Sequence, residues 1–326
     1  MDLPAIPAQA KSGKPILVIG SLNMDLVAVS PRLPAKGETI LGDKFMTFPG
    51  GKGGNQATAA ARLGAKVYMA GCVGKDSFGD ELLASLQNNL VRTQHVERHD
   101  KSTGIALITV DAAGMNTIVV VPGANYECGK AHVDATLSGV GESGILLLQH
   151  ELPEETVEYA IRAAHSQGWM IILNPAPARP VAREVLSGVN ILIPNETEAS
   201  AMTGRRIENE KDAIPAAREL LTAGVDWVVV TLGSKGAVCC SQRETYYTEA
   251  LEVKAVDTTA AGDAYVGALA FALSGGCQMT EGLRFAGAAA AFSVTRRGAQ
   301  PSLGSYKEIE EFVHKVPPKS PRTAYT

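Results

Sequence analysis

The sequence predicts an α/β fold: a central, mostly parallel sheet with a small β-sheet lid added to it. Three observations carry this. Short unbroken apolar runs alternate with segments of helical length through most of the chain, as strands buried on both faces of a parallel sheet require. Four β-rich runs (25–30, 39–47, 103–110 and 116–121) do not fit that succession, and they assemble into a lid drawn from two parts of the chain, about 23–47 and 103–121. The main strands end in polar or glycine residues at one end: Asn23 and Asp25, Glu151, Asn174, Asn195 and Glu198, Thr231 and Gly233. In open α/β sheets ligands bind at that end.

The bulk numbers limit the function classes. With 326 residues, 45% hydrophobic and 20% charged, the chain buries a large core and is not disordered. A net charge of −4, no Lys/Arg cluster and 5% aromatics exclude nucleic acid as a partner. Five cysteines without a CxxC pair read as reduced, small apolar fillers. No apolar run spans a membrane, and the first fourteen residues lack the apolar centre of a secretory signal, so a cytoplasmic location is expected. Residues 14–315 read as one domain, with flexible tails at 1–13 and 316–326.

In chain order, 14–20 is a buried strand leading into Ser21-Leu22-Asn23-Met24-Asp25. Residues 48–56, FPGGKGGNQ, free the backbone for close approach and open an Ala-rich helix that starts at Asn55 or the glycines before it and stops at Gly64. This is no P-loop, because Gly53 follows Lys52 and Met46 replaces the upstream glycine; Gln56 likewise breaks a dinucleotide GxGxxG. Strand 67–73 and a helix near 77–89 follow, then a hairpin turning at Asp111-Ala112-Ala113-Gly114. Strand 145–149 ends in His150 and Glu151, helix 153–167 precedes strand 169–173, and a helix near 182–187 precedes strand 191–194. Asn195 and Glu198 have the spacing of a capping box. Helix 210–223 leads to strand 227–230 and then Thr231-Leu232-Gly233-Ser234-Lys235-Gly236; 237–240 and 246–253 read as an antiparallel edge. Thr280 caps a helix over 280–297 that Gly298 stops, and 306–315 is a last amphipathic helix.

The stretch 257–274, DTTAAGDAYVGALAFALS, is a small-residue loop running into a helix. Free N–H groups in a first helical turn can hold an anion, and a carboxylate there can take a proton from a hydroxyl. Taken alone, Asp263 reads first as the N-cap of a core helix.

Residues 257–263 (DTTAAGD) resemble the C-terminal signature of the ribokinase-like (PfkB) sugar kinases, and 50–56 (GGKGGNQ) their N-terminal signature. The likeness runs from about Lys14 to Lys315, and GSLNMD, GGKGGNQA, NPAPAR and RRGAQPS are closer to the family's ribose-specific branch than to adenosine kinases or phosphofructokinases. The resemblance implies a three-layer α/β/α fold and transfer of the ATP γ-phosphoryl group to a primary hydroxyl of D-ribose. It implies Asp263 as base, with the amides of Ala260, Ala261 and Gly262 on the transferring phosphoryl. Asn23, Asp25, Gly51, Lys52, Gly53, Gly54, Asn55 and Glu151 would hold the sugar. Thr231, Leu232, Gly233, Ser234, Lys235, Gly236, Gly262 and Gly287 would line the nucleotide site, with Asn195 and Glu198 near the phosphates and Mg²⁺ through water. A potassium ion would sit among Asp257, Thr259, Ser293, Arg296, Gly298 and Ser302, and a homodimer would form through the lid. Gly287 departs from the family, which often has His or Asn beside the adenine.

Simpler readings stand beside these. Lys52 can be a solvated loop lysine, Glu151 a cap of the helix at Pro153, and Asn195 with Glu198 a helix start. His95, His99, His132, His150 and His165 show no metal spacing and read as surface or packing residues, and Arg296-Arg297 as a helix-end charge pair. Deoxyribose, fructose or nucleoside kinases, and a non-catalytic sugar- or nucleotide-binding regulator, stay open as alternatives. A nicotinamide oxidoreductase is disfavoured by the missing GxGxxG.

Overall fold

A computed structural model describes residues 13–316, so the expected tails lie outside the described residues apart from Gly13 and Val316. The chain runs through β1 (Ile16–Ile19), β2 (Asn23–Val29), β3 (Lys44–Gly50), α1 (Lys52–Arg62), β4 (Val67–Gly74), α2 (Ser77–Asn88) and β5 (Arg92–His99). The hairpin β6 (Gly104–Val110) and β7 (Asn116–Val121) leads through a 3-10 turn, Gly123–Glu127, to α3 (Lys130–Val140). Then come β8 (Ile145–Gln149), α4 (Glu154–Ser166), β9 (Met170–Asn174), α5 (Arg183–Leu186), β10 (Ile191–Leu192), α6 (Glu196–Thr203) and α7 (Glu210–Leu221). Finally β11 (Trp227–Thr231), β12 (Ala237–Cys240) and β13 (Thr245–Thr248) precede α8 (Ala261–Ser274), α9 (Met279–Ser293) and α10 (Tyr306–Lys315).

Nine strands form one sheet in the order β13-β12-β11-β10-β9-β8-β1-β4-β5, all parallel except β12, which runs antiparallel to both its neighbours. Strand periodicity divides β1 between two cores. Ile16 and Val18 join residues of α1, α8 and α9 on one face, and Leu17 and Ile19 join α3, α4 and α7 on the other. This is the expected α/β/α layering. The lid is a second sheet, β3-β2-β6-β7, with β2 antiparallel to β3 and parallel to β6.

Several details differ from the sequence expectation. β3 begins at Lys44 rather than residue 39 and continues to Gly50, so the lid reaches the glycine-rich turn itself. α9 is capped by Gln278, not Thr280, and ends at Ser293 before Gly298. β13 stops at Thr248. β5 and α3 were not expected. β5 (RTQHVERH) is a sheet edge, where half-exposed positions take polar residues and the apolar signal is lost.

Candidate active site

The first turn of α1 meets the end of β1 backbone to backbone. Gly51 is the N-cap at φ 81°, and a Cβ there would lie 2.7 Å from Asn23 N. A Cβ on Gly53 would lie 2.7 Å from the Gly20 carbonyl carbon. Only glycine permits this approach, and it delivers Lys52, Gly54, Asn55 and Gln56 to the strand ends.

Glu151 follows β8 and gathers that junction. Its Oε2 accepts from Ser21 Oγ (2.5 Å), the Lys52 amide (3.1 Å) and Asn23 Nδ2 (3.4 Å). The helix after it is capped at Pro153 without a side-chain bond, so Glu151 is not its cap. Asn125, in the 3-10 turn, accepts from the Leu22 amide (2.8 Å) and donates to Asn23 Oδ1 (2.8 Å), fixing the orientation of the Asn23 amide.

Across the cleft, Asp263 is the third residue of α8. The N-cap position belongs to Ala260, so the cap reading of Asp263 fails. Its buried carboxylate accepts from Asn55 Nδ2 (2.9 Å) and Gln56 Nε2 (3.0 Å). Gln149 Nε2 donates to Gln56 Oε1 (2.7 Å), and Gln56 also donates to Asn174 Oδ1 (3.2 Å). Asn55 Oδ1, buried beside Asp263, has no partner among the described residues. In the turn before Asp263 the Ala261 amide donates to Thr258 O (3.2 Å), whereas a Cβ on Gly262 would meet open space.

Five charged groups share this cleft. Burial lifts the Asp25 carboxyl to about 7, helped by Glu151 and Asp263 and opposed by Lys52. Burial also raises Asp263, against Lys52 and the two amide donors, and raises Glu198. Burial pulls the Lys52 ammonium down, but Asp263, Glu151, Glu198 and Asp25 together hold it above its ordinary value. Lys52 is therefore no free surface lysine.

Asn195 caps α6 in a capping box with Glu198 and pairs with Thr231 in a parallel bridge, bringing two of the proposed nucleotide-side stretches together. Gly233, Ser234 and Lys235 form a 3-10 turn closed by the Leu232 amide donating to Gly236 O (2.8 Å). The Leu232 side chain lies in the core, and the Lys235 ammonium donates to Glu208 O. A Cβ on Gly287, in α9, would meet nothing within 4 Å. Asp257 binds the Thr259 amide (3.0 Å) and hydroxyl and the Gly298 amide (2.9 Å), tying the approach to α8 to the segment after α9. Arg296 stacks on Phe292 at 3.4 Å. Gln56, Asn125 and Gln149 were not singled out as site residues in the sequence; Gln56 follows the glycine turn and Gln149 ends β8, but Asn125 acts from the 3-10 turn after β7.

The model of the pfkB family carbohydrate kinases matches residues 14–305. The chain belongs to the pfkB family. This pfkB kinase is 43% identical to ribokinase of Bacillus subtilis (strain 168) over 300 residues, covering 91% of this chain and 99% of that one. It is 35% identical to deoxyribokinase of Salmonella typhi, covering 91% of this chain and 98% of the relative. Among solved structures, Arabidopsis thaliana ribokinase complexed with ribose and ATP is 33% identical with a TM-score of 0.83, over 92% of this chain and 99% of that chain.

Proposed function

We propose that the protein is a ribokinase that transfers the γ-phosphoryl group of ATP to the 5-hydroxyl of D-ribose, giving ribose 5-phosphate and ADP. The observation that carries this reading is a buried carboxylate, Asp263, at the start of α8 with the unpartnered acceptor Asn55 Oδ1 beside it. A buried base next to a vacant acceptor suits a polyhydroxylated substrate whose hydroxyl must lose a proton.

Asp263 takes the 5-hydroxyl proton as that oxygen attacks the γ-phosphorus, and ADP departs with the bonding pair. Burial raises the carboxylate's proton affinity, which favours the transfer. Developing charge on the phosphoryl oxygens faces the start of α8 at Gly262, where the helix dipole is positive and no side chain intrudes. The Ala260 and Ala261 amides belong to the same turn, with Ala261 sharing its proton with Thr258 O. Lys52 offsets the negative charge of the cleft. Asn23, Asp25, Asn55 and Glu151 bind the remaining hydroxyls, while Gly51, Gly53 and Gly54 admit the ring. ATP lies along Thr231–Gly236 and Gly287, with Leu232 and Lys235 contributing backbone only.

Asn195 and Glu198 offer oxygen donors that suit hydrated Mg²⁺. The donors proposed for K⁺ (the Asp257 carboxylate, the Thr259, Ser293, Arg296 and Gly298 carbonyls and the Ser302 hydroxyl) are all hard oxygen atoms, which suits that ion; Asp257 already meets Thr259 and Gly298, and an ion bound there would brace the turn before α8. Free cysteines throughout and no helix long enough to cross a membrane among the described residues support a cytoplasmic location. Residues 14–315 act as one kinase unit, paired with a second copy through the lid.

A substrate panel tests this. With ATP and Mg²⁺, ribose is the best pentose and turnover falls sharply when K⁺ is omitted. No turnover on ribose sinks the reading, and a preference for 2-deoxyribose selects the deoxyribokinase reading that the 35% identical relative keeps open.

A further inference from the structure

On the face of the main sheet away from α8, three soft ligands from distant parts of the chain converge. Cys72 lies on β4, Cys128 just past the 3-10 turn, and His132 in α3; all are buried. Their ligand atoms all lie within 4.8 Å of one another. Cys72 Sγ is 3.7 Å from His132 Nδ1. Around tetrahedral zinc, with Zn–S of about 2.3 Å and Zn–N of about 2.0 Å, neighbouring ligand atoms sit roughly 3.5–3.8 Å apart.

Two further features point to a cation. His132 Nε2 lies 2.7 Å from His95 O, a contact possible only if that nitrogen carries the proton. In the neutral ring the Nδ1 lone pair then faces the thiols, and the backbone carbonyl does for His132 what second-shell partners do for metal-bound histidines. Glu97, on the edge strand β5, brings Oε2 to 4.0 Å from His132 Nδ1 and 3.3 Å from His99 Nε2. Cys72, Glu97 and His99 again have ligand atoms within 4.8 Å of one another. The cluster is therefore buried on the thiol side and open at the sheet edge, where Glu97 is half exposed. A packing cluster has no use for a carboxylate and a second imidazole at the mouth of a thiol pair.

We propose that Cys72, Cys128 and His132, with Glu97 as fourth ligand, form a binding site for a zinc-class divalent cation, separate from the phosphoryl-transfer cleft. Binding through two thiolates releases the thiol protons to solvent. Cys128 is three residues past Asn125, and its amide donates to Asn125 O (3.4 Å). The ion thus ties β4 to the turn whose Asn125 orients Asn23.

The test is titration of the reduced full chain with Co²⁺ alone, without nucleotide or sugar. One equivalent produces thiolate-to-cobalt charge-transfer absorption and tetrahedral d–d bands, and Zn²⁺ bleaches both. The oxygen ligands of the cleft cannot give a thiolate band. Cys128→Ala abolishes it and Cys277→Ala leaves it intact. Glu97→Gln, at the surface and neutral for folding, weakens cobalt binding by about tenfold or more. No thiolate band at one equivalent, a band that survives Cys128→Ala, or unchanged affinity in Glu97→Gln overturns the site.

Discussion

Asp263 is buried, and its charge is held by nearby Lys52 and by two neutral amide donors, from Asn55 and Gln56. A carboxylate stabilised by several backbone amides or an arginine would be a weak base; this one keeps its proton affinity because burial outweighs its partners. Asp263→Asn keeps the shape and removes the base, so kcat should fall by roughly 10²–10⁴-fold, with ribose affinity by calorimetry changed only a few-fold. A variant with wild-type turnover would reassign the base. Asp25 carries a different signature. Its folded-state pKa of about 7 stands above the ordinary aspartate value of 3.8, so the folded protein binds an extra proton between those limits. That contribution to stability is fully present below the unfolded value and is lost as pH rises through about 7. Asp25→Asn removes the loss, so the variant's Tm advantage over wild type should grow between pH 5 and pH 8. A difference independent of pH would mean that Asp25 ionises normally.

The elements show how the site is held. α1 can bring Lys52, Asn55 and Gln56 to the cleft only because Gly53 lets its backbone touch Gly20. An added methyl has backbone on its far side and nothing flexible to displace. Gly53→Ala should therefore cost about 1–3 kcal/mol by overpacking, read as a lower denaturation midpoint, and should raise the KM for ribose. Gly287→Ala is the contrast: the space is open and the position is helical, so it should stabilise by about 0.4–1 kcal/mol. An unchanged midpoint for Gly53→Ala would mean that α1 can shift away from β1. These contacts also explain what the sequence could disclose. Buried strands such as β1 and β8 are unbroken apolar runs, and Asp263 and Asn55 sit in dense motifs, so both were legible. β5 was not, because an edge strand alternates with water and reads as polar. Asn125 acts from a short turn about a hundred residues from its partners. Cys72, Cys128 and His132 have no metal spacing along the chain, because a parallel sheet sets residues side by side that are far apart in sequence.

At the scale of the molecule, the two sheets have opposite relations to solvent. The nine-stranded sheet is covered by helices on both faces, while the lid leaves apolar side chains bare. Leu26, half-buried against the main core, lies opposite Leu107, and Leu107 opposite Val119, so the outer two of this row across three lid strands stay exposed. Val119 is 60% exposed and Phe45, on β3, is 66% exposed. β7 is also an edge strand whose side chains are all exposed, with no charge or proline to block pairing with another strand. In the proposed dimer a second copy of the lid would cover both the exposed part of the apolar row and the free edge, and it would brace β2, which carries Asn23 and Asp25 into the cleft. Sedimentation should therefore find a dimer at micromolar concentration. Val119→Asp should yield a monomer whose unfolding free energy, measured at concentrations where both forms are monomeric, is unchanged within about 0.5 kcal/mol, as for exposed sites in general. Its KM for ribose should rise because β2 loses its outer support. A wild-type protein that sediments as a monomer, or a Val119→Asp dimer, would place the interface elsewhere and leave the lid's apolar row without this partner.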